Sequence, residues 1–295
     1  MLDFPHRDFT VESTYSVRRK SMNGNQAVMI ASRGCPYACS YCVSGNMKKS
    51  KVPFRRRSNE NIVEEMQELK ETYGIGDIVF YDDCFFSNKS RLSEDIKAFC
   101  DLLLERKVNV QWQIEMRPDF FVLLSEEDMN SLSEAGCRQI NLGIEKVSQN
   151  GLHFLGKDGN TEGLKEKITA TKERTGIKIS ATFILGGEGE DEDDVKKLVE
   201  YAKGLSIDFA HFNPLFVYPG TPLYDKVFSN EREWVDAILK DDFPWGEIVY
   251  ENKGLNRKQL LRLIDYAYGE FYKDTELAHE QMVEDRFNIK RVEGE

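Results

Sequence analysis

Residues 27–42 read AVMIASRGCPYACSYC. The first six form a short apolar run that ends at Arg33-Gly34, and such a run bounded by a turn signal reads as a buried strand. Three of the chain's six cysteines then fall within eight residues, Cys35, Cys39 and Cys42, spaced C-x3-C-x2-C. A cysteine loop therefore hangs on the end of the first strand. Outward from it the pattern repeats as strand then helix. Strand candidates at 27–32, 77–82, 110–116, 138–143, 177–185 and 208–215 alternate with helical patterns at 59–73, 90–106, 125–135, 161–175 and 191–204. Ser58 ahead of Glu60, Ser125 with Asp128, and Asp191 supply helix-entry chemistry. Gly74, Gly136, Gly176 and Gly204 stand where helices close.

This alternation implies a parallel sheet. Six βα units are too few for a closed eight-stranded barrel, so the expected fold is α/β, a partial (βα)6 TIM-like barrel with its chemistry at the C-terminal ends of the strands. The expected divisions are a lead-in over 1–26, a barrel core over 27–221, and a mainly helical C-terminal extension over 222–295. That extension, with an amphipathic stretch at 257–272 and a charged final stretch, is expected to cap the open side or close over substrate.

The 295 residues are 40% hydrophobic and 31% charged, with no apolar run near 18 residues, so neither a membrane span nor a signal peptide is expected and the location expected is cytoplasmic. The formal charge of -11 argues against nucleic acid as a partner, because such binders carry a surplus of Lys and Arg. Two basic runs, Lys48-Lys49-Ser50-Lys51 and Arg55-Arg56-Arg57, read as a solvated loop or an anion contact.

Six cysteines in such a chain suggest ligands, packed thiols or reactive thiols rather than a disulfide framework. Three thiolates on one loop can hold three irons of a 4Fe-4S cube and leave the fourth iron open to a small molecule. The alternative is a zinc loop that borrows a ligand elsewhere, although His6, His153, His211 and His279 show no pairing spacing.

C-x3-C-x-aromatic-C after the first strand of a βα series resembles the radical S-adenosylmethionine (SAM) superfamily. Phe80-Tyr81-Asp82-Asp83, Gly136-Cys137, Leu142-Gly143-Ile144-Glu145, the run from Phe183 to Glu190, and Tyr218-Pro219-Gly220-Thr221-Pro222-Leu223-Tyr224 extend the likeness over roughly 4–225. Together they resemble the barrel core of the subgroup of cobalamin-binding radical SAM enzymes and methylthiotransferases. The resemblance implies a 4Fe-4S cluster on Cys35, Cys39 and Cys42, and SAM chelated by the open iron and cleaved to methionine and a 5'-deoxyadenosyl radical. It further implies Tyr41 against adenine, and Tyr81, Asp82 and Asp83 beside the SAM amino group. Glu115 would accept the ribose hydroxyls, and Arg117 would meet a SAM or substrate carboxylate. Glu145 falls at a SAM-contacting position, Lys157 at a cation for the SAM carboxylate, and Gly186-Gly187 at a turn backing adenine or ribose.

Cobalamin-dependent relatives carry a cobalamin-binding domain before the barrel, and methylthiotransferases carry further cluster cysteines and an RNA-binding domain; neither is expected here. The expected function is hydrogen abstraction from a carbon of a polar small molecule, such as a sugar, an aminoglycoside or another metabolite, leading to epimerisation, dehydrogenation or related tailoring. An external one-electron reductant such as flavodoxin or ferredoxin would be the partner. Cys84, next after Asp83, is the candidate hydrogen donor to a substrate radical, with a packed, inert thiol as the plain alternative. Cys100 and Cys137 read as core. Trp112, His211, Tyr218, Trp245 and Tyr250 are candidate pocket residues, and the negative charge suggests a cationic substrate. The alternatives are methyl or methylthio transfer, and a non-enzymatic iron-sulfur or zinc protein that senses redox state or scaffolds a partner.

Overall fold

A computed structural model of the 295-residue chain describes residue 4, residues 25–46, 53–157, 159, 161–228, 235, 250–252 and 254–274. Six parallel strands curl into a half-barrel in the order β1 (Asn25–Met29), β4 (Ile75–Phe80), β5 (Gln111–Met116), β6 (Cys137–Glu145), β7 (Lys178–Leu185) and β8 (Phe209–Pro214). The first predicted strand stops short: after Met29 the chain bends, and β2 (Ser32–Arg33) pairs antiparallel with β3 (Arg55–Arg56). Part of the second basic run is therefore structured rather than a free loop. Arg56 lies 5.1 Å over the Phe85 ring, and Arg57 pairs with buried Glu65 at 2.5 Å and donates to the Ile30 carbonyl at 3.0 Å. The run from Lys48 to Lys51 lies outside the described residues.

Each strand turns one row of side chains outward onto helices, because successive residues point to opposite faces. Trp112, Ile114, Ile140, Leu142, Ile179 and Phe183 form the outer row and are fully buried. They pack under α2 (Asn59–Tyr73), α3 (Leu92–Glu105), α5 (Glu126–Glu134), α7 (Leu164–Thr175) and α8 (Glu192–Gly204). Burying each such side chain contributes about 1.5–3 kcal/mol. Trp112 is thus core, not pocket: it packs with Phe80, Phe85 and Phe99, and its indole N–H donates to the Ala135 carbonyl at 2.7 Å. Local signals set the helix ends as read. Ser58 accepts from the Asn61 N–H, Ser125 and Asp128 make a reciprocal capping box, and Gly74 closes α2 in the left-handed region at φ 65°.

The C-terminal helix α10 (Arg257–Tyr272) lies along α8 and β8, at the open edge of the half-barrel. The edge strand β8 leaves backbone groups without a sheet neighbour, a liability that must be covered. Two tyrosines cover it. The Ala210 N–H donates to the Tyr272 hydroxyl at 2.8 Å, that hydroxyl donates to the Ala210 carbonyl at 3.0 Å, and the Phe212 N–H donates to Tyr268 at 3.2 Å. Among the described residues no helix is long and apolar enough to cross a membrane.

Candidate active site

The cysteine loop is built by backbone contacts before any metal is considered. Gly34 turns it off β2 at φ 79°, and α1 (Val43–Asn46) ends it. The Asn46 amide donates to the Cys39 and Cys42 carbonyls at 3.0 and 2.7 Å, fixing the turn between these cysteines. The Ser40 N–H donates to the Leu155 carbonyl at 2.7 Å and its hydroxyl to the Phe154 carbonyl at 3.0 Å, tying the loop to α6 (Gln149–Phe154). On the other side Ser44 donates to Asp83 at 2.6 Å. Gly45 admits no side chain, because a Cβ there would lie 2.4 Å from the Tyr37 carbonyl oxygen.

A cavity of about 870 Å³ opens beside this loop, at the C-terminal ends of the strands, and runs down the inside of the half-barrel. Cys35, Cys39, Cys42 and Tyr41 line it from the loop, and Tyr81, Asp82, Asp83 and Cys84 from the segment after β4. Glu115 and Arg117 line it at the end of β5, and Glu145 and Lys157 at and after the end of β6. Strand curvature thus brings these sequence-predicted residues into one space. Gly186 and Gly187 are outside that lining. Gly186, at φ 78°, lies against Leu260 of α10, while Lys146 donates to its carbonyl at 3.0 Å and to Glu190 at 2.6 Å, and Asn252 bonds the Gly187 carbonyl. This glycine turn is clamped to the C-terminal helix side.

Several predicted residues hold structural partners that sequence spacing does not reveal. Asp82 is 3% exposed and accepts from the Ala31 N–H at 3.0 Å and the Ser32 hydroxyl at 2.5 Å, which locks the β4 end to the β1 end. Burial nevertheless pushes its carboxyl above the ordinary range. Arg117 lies 3.9 Å over the Tyr37 ring and pairs with Asp119 at 2.8 Å, so it braces the cysteine loop. Lys157 is buried, donating to the Gly143 carbonyl at 2.6 Å and to Glu145 at 2.9 Å. Glu145 takes φ 67°, a left-handed conformation rare outside glycine, at an irregularity in the β6–β7 pairing. Tyr41 hydrogen-bonds Glu145, and its ring packs on a small apolar cluster with Leu155, Ile184, Leu215 and Leu223; burial raises its hydroxyl well above the usual tyrosine range.

The thiols differ by environment. Burial pushes Cys39 and Cys42 up, whereas a hydrogen bond from Cys84 draws Cys35 down to about 7 despite its burial. Cys84 is 5% exposed, donates toward the Phe86 carbonyl at 3.3 Å, and is raised far up by its bond to Cys35 and by burial. The Phe86 carbonyl is thus the acceptor that holds this thiol. Cys100 and Cys137 are buried in the core, where burial pushes Cys100 up to about 12. The donor set fits a 4Fe-4S cube: three cysteines on a rigid loop, beside a cationic Arg117 and Lys157 that offset its negative charge. Among the described residues no three His, Cys, Asp or Glu side chains gather as they would around a single metal ion.

Deeper in the cavity the inner faces of the strands carry residues that sequence reading left aside. Gln113, Gln139, Asn141 and Thr182 line it with His211. Gln139 donates to Asn141 at 2.7 Å. Near the strand starts, Arg138 forks onto buried Asp77 at 2.9 and 2.7 Å and Gln26 donates to the same carboxylate at 2.9 Å. The signal was available: Gln111-x-Gln113-x-Glu115 and Gln139-x-Asn141 place polar residues at every second position of strands whose other face is apolar. Of the other pocket candidates, Tyr250 packs on Phe154 at 5.8 Å, Tyr218 is half-exposed on Phe216, and Trp245 lies outside the described residues.

The family model of the radical SAM superfamily matches residues 29–202. An uncharacterized methyltransferase of Pyrococcus horikoshii is 30% identical over 270 residues, covering 90% of this chain and 55% of its own length. The anaerobic magnesium-protoporphyrin IX monomethyl ester cyclase of Cereibacter sphaeroides is 26% identical over 255 residues, covering 86% of this chain and 40% of its own. The chain spans about half the length of these curated relatives. Among solved structures, the radical SAM methyltransferase TsrM of Kitasatospora setae, with cobalamin and a 4Fe-4S cluster bound, superposes with a TM-score of 0.58 at 22% identity, covering 68% of this chain and 36% of that one. The chain belongs to the radical SAM superfamily, whose cofactors are a 4Fe-4S cluster and SAM.

Proposed function

We propose that this radical SAM chain carries the SAM-binding barrel of a methyl-transferring enzyme that acts on a polar small molecule. The observation behind this reading is the 30% identity to a methyltransferase across 90% of the chain. Sequence reasoning placed hydrogen abstraction first and methyl transfer second; the relatives support the reverse order. The reason for the misordering is physical. Barrel-core residues serve the cofactor, which both reactions share, and do not record which group is finally transferred.

In this reading Cys35, Cys39 and Cys42 hold the cluster. When bound, cluster and SAM supply either a methyl group or, on one-electron reduction, a 5'-deoxyadenosyl radical. Asp83 and Glu115 offer acceptors to the SAM ammonium and ribose hydroxyls. Lys157, already held by Gly143 and Glu145, presents its ammonium to a carboxylate. Gln113, Asn141 and His211 in the lower cavity orient polar groups of the substrate, and an external carrier such as flavodoxin or ferredoxin delivers the electron. Hydrogen abstraction without methyl transfer stays as a second reading, supported by the cyclase relative.

The test uses the anaerobically reconstituted chain with methyl-deuterated SAM, titanium citrate and hydroxocobalamin. Unlabelled S-adenosylhomocysteine is expected, with the labelled methyl group recovered on the hydroxocobalamin supplied as an added acceptor. If SAM is converted only to 5'-deoxyadenosine and methionine and no label leaves it, the methyl-transfer reading fails and the second one stands.

A further inference from the structure

We propose that Lys146 is a positioning residue of the SAM site, anchored on the Gly186 carbonyl and Glu190 so that it holds the strained turn at Glu145 that keeps the Glu145 carboxylate on Lys157. The inference rests on the reading that Glu145 and Lys157 serve SAM. It gives the glycine-rich run from Gly186 to Glu190, which lies outside the cavity lining, a part in SAM binding at one remove.

The turn comes first. The Lys146 N–H donates to the Ile144 carbonyl at 2.9 Å across a Glu145 whose φ is 67°. A three-residue turn closed by such a bond around a positive φ is the rare and strained hand of the γ-turn. It falls at the break in the β6–β7 register, where Gly143 faces Thr182 and Glu145 already faces Phe183, so that Ile144 is the extra residue. An extra residue of this kind re-aims the side chains beside it. Here the two neighbours part. The Glu145 carboxylate lines the cavity and accepts from Lys157 at 2.9 Å. The Lys146 side chain, 1% exposed, lies outside that lining, and its ammonium donates to the Gly186 carbonyl at 3.0 Å and to Glu190 at 2.6 Å.

Strained backbone persists only where its surroundings over-determine it. The anchor of Lys146 meets that condition: Glu190 directly precedes Asp191, the cap of α8, which accepts from the Asp194 N–H at 3.1 Å, and Asn252 bonds the Gly187 carbonyl. The stem of Lys146 is boxed in as well, because a Cβ on Gly151 of α6 would lie 3.2 Å from it. A buried ion pair does little for stability, since the attraction is largely offset by the desolvation of both charges, and its best attested use is to fix one arrangement. Holding Glu145 is such a use. With Lys146 released, the turn relaxes to an ordinary negative φ and the carboxylate leaves Lys157.

The experiment compares four full-length chains reconstituted anaerobically: native, Lys146→Met/Glu190→Gln, Glu145→Ala, and the triple variant. Iron and sulfide content, SAM affinity by equilibrium dialysis, and urea unfolding of the cluster-free chain are the readouts. Expected in Lys146→Met/Glu190→Gln are native iron content, a native unfolding midpoint, and SAM binding weaker by about tenfold or more, the factor that loss of one hydrogen bond to a charged group gives. The triple variant should bind SAM no more weakly than Glu145→Ala alone, because Lys146 acts through Glu145. Native SAM affinity in Lys146→Met/Glu190→Gln overturns the inference, as does a triple variant whose loss is the product of the two separate losses. If the pair variant does not fold, Glu190→Gln alone decides: weaker SAM binding at native iron content supports the anchor, and native affinity overturns it. Native affinity in Glu145→Ala overturns the assignment of Glu145 to SAM and the inference with it, whereas a loss there beside native affinity in the pair variant removes the Lys146 inference alone.

Discussion

Replacing Lys157 by Met should remove the most consequential single charge from the site wall. Its ammonium donates to the Gly143 carbonyl at 2.6 Å and to Glu145 at 2.9 Å, and the two side chains of the pair are only 10% and 9% exposed. Methionine keeps most of the volume but leaves the carboxylate buried with the Tyr41 hydroxyl alone among these partners. Breaking one half of a buried pair costs about 3–5 kcal/mol, because the remaining charge loses its compensation. The loss includes support for Glu145 at φ 67°, a backbone state that itself costs of order 1–3 kcal/mol. The assay is a double-mutant cycle on the cluster-free full chain, Lys157→Met and Glu145→Gln singly and together, by urea unfolding followed by circular dichroism. The pair should couple by about 1.5–3 kcal/mol, the range of a hydrogen bond to a charged group. Additivity of the two single changes within about 0.5 kcal/mol would refute the reasoning, since unlinked sites behave that way.

Three other substitutions test separate parts of the description. Gly143→Ala puts a Cβ 2.7 Å from Glu145 Oε1 and 3.0 Å from Lys157 Nζ, so SAM binding should weaken at least tenfold, about 1.4 kcal/mol, while iron content is unchanged in equilibrium dialysis and iron analysis. Gly45→Ala drives a Cβ into the Tyr37 carbonyl at 2.4 Å, and the reconstituted chain should lose most of its visible cluster absorbance; full absorbance would show the loop to be more compliant than drawn. Tyr272→Phe strips the Ala210 N–H and C=O of their partner on the edge strand, so the chain should lose about 1–3 kcal/mol in chemical denaturation.

Much of the barrel was legible because its signals are local. Strand and helix alternation, the caps at Ser58 and Ser125, the left-handed close at Gly74 and the cysteine spacing each lie within one element or one loop, where spacing along the chain is spacing in space. Element ends were less well read. The apolar run predicts a first strand reaching residue 32, but the pairing of Ser32 and Arg33 with Arg55 and Arg56 bends the chain after Met29. The glycines at 186 and 187 resemble a cofactor turn, yet the tertiary structure holds them against Leu260 of α10 and with Lys146 and Asn252, outside the cavity lining.

The sequence by itself determined that this is a βα series with a three-cysteine loop after its first strand, and with that the cofactors. Tertiary structure decided the rest of the site. The meeting of Cys84 with Cys35, the burial of Lys157 against Glu145, the Asp77–Arg138 fork and the polar inner row all join residues far apart in the chain. Such contacts depend on strand order, register and the curl of the sheet, and those are properties of the packed barrel rather than of any one segment.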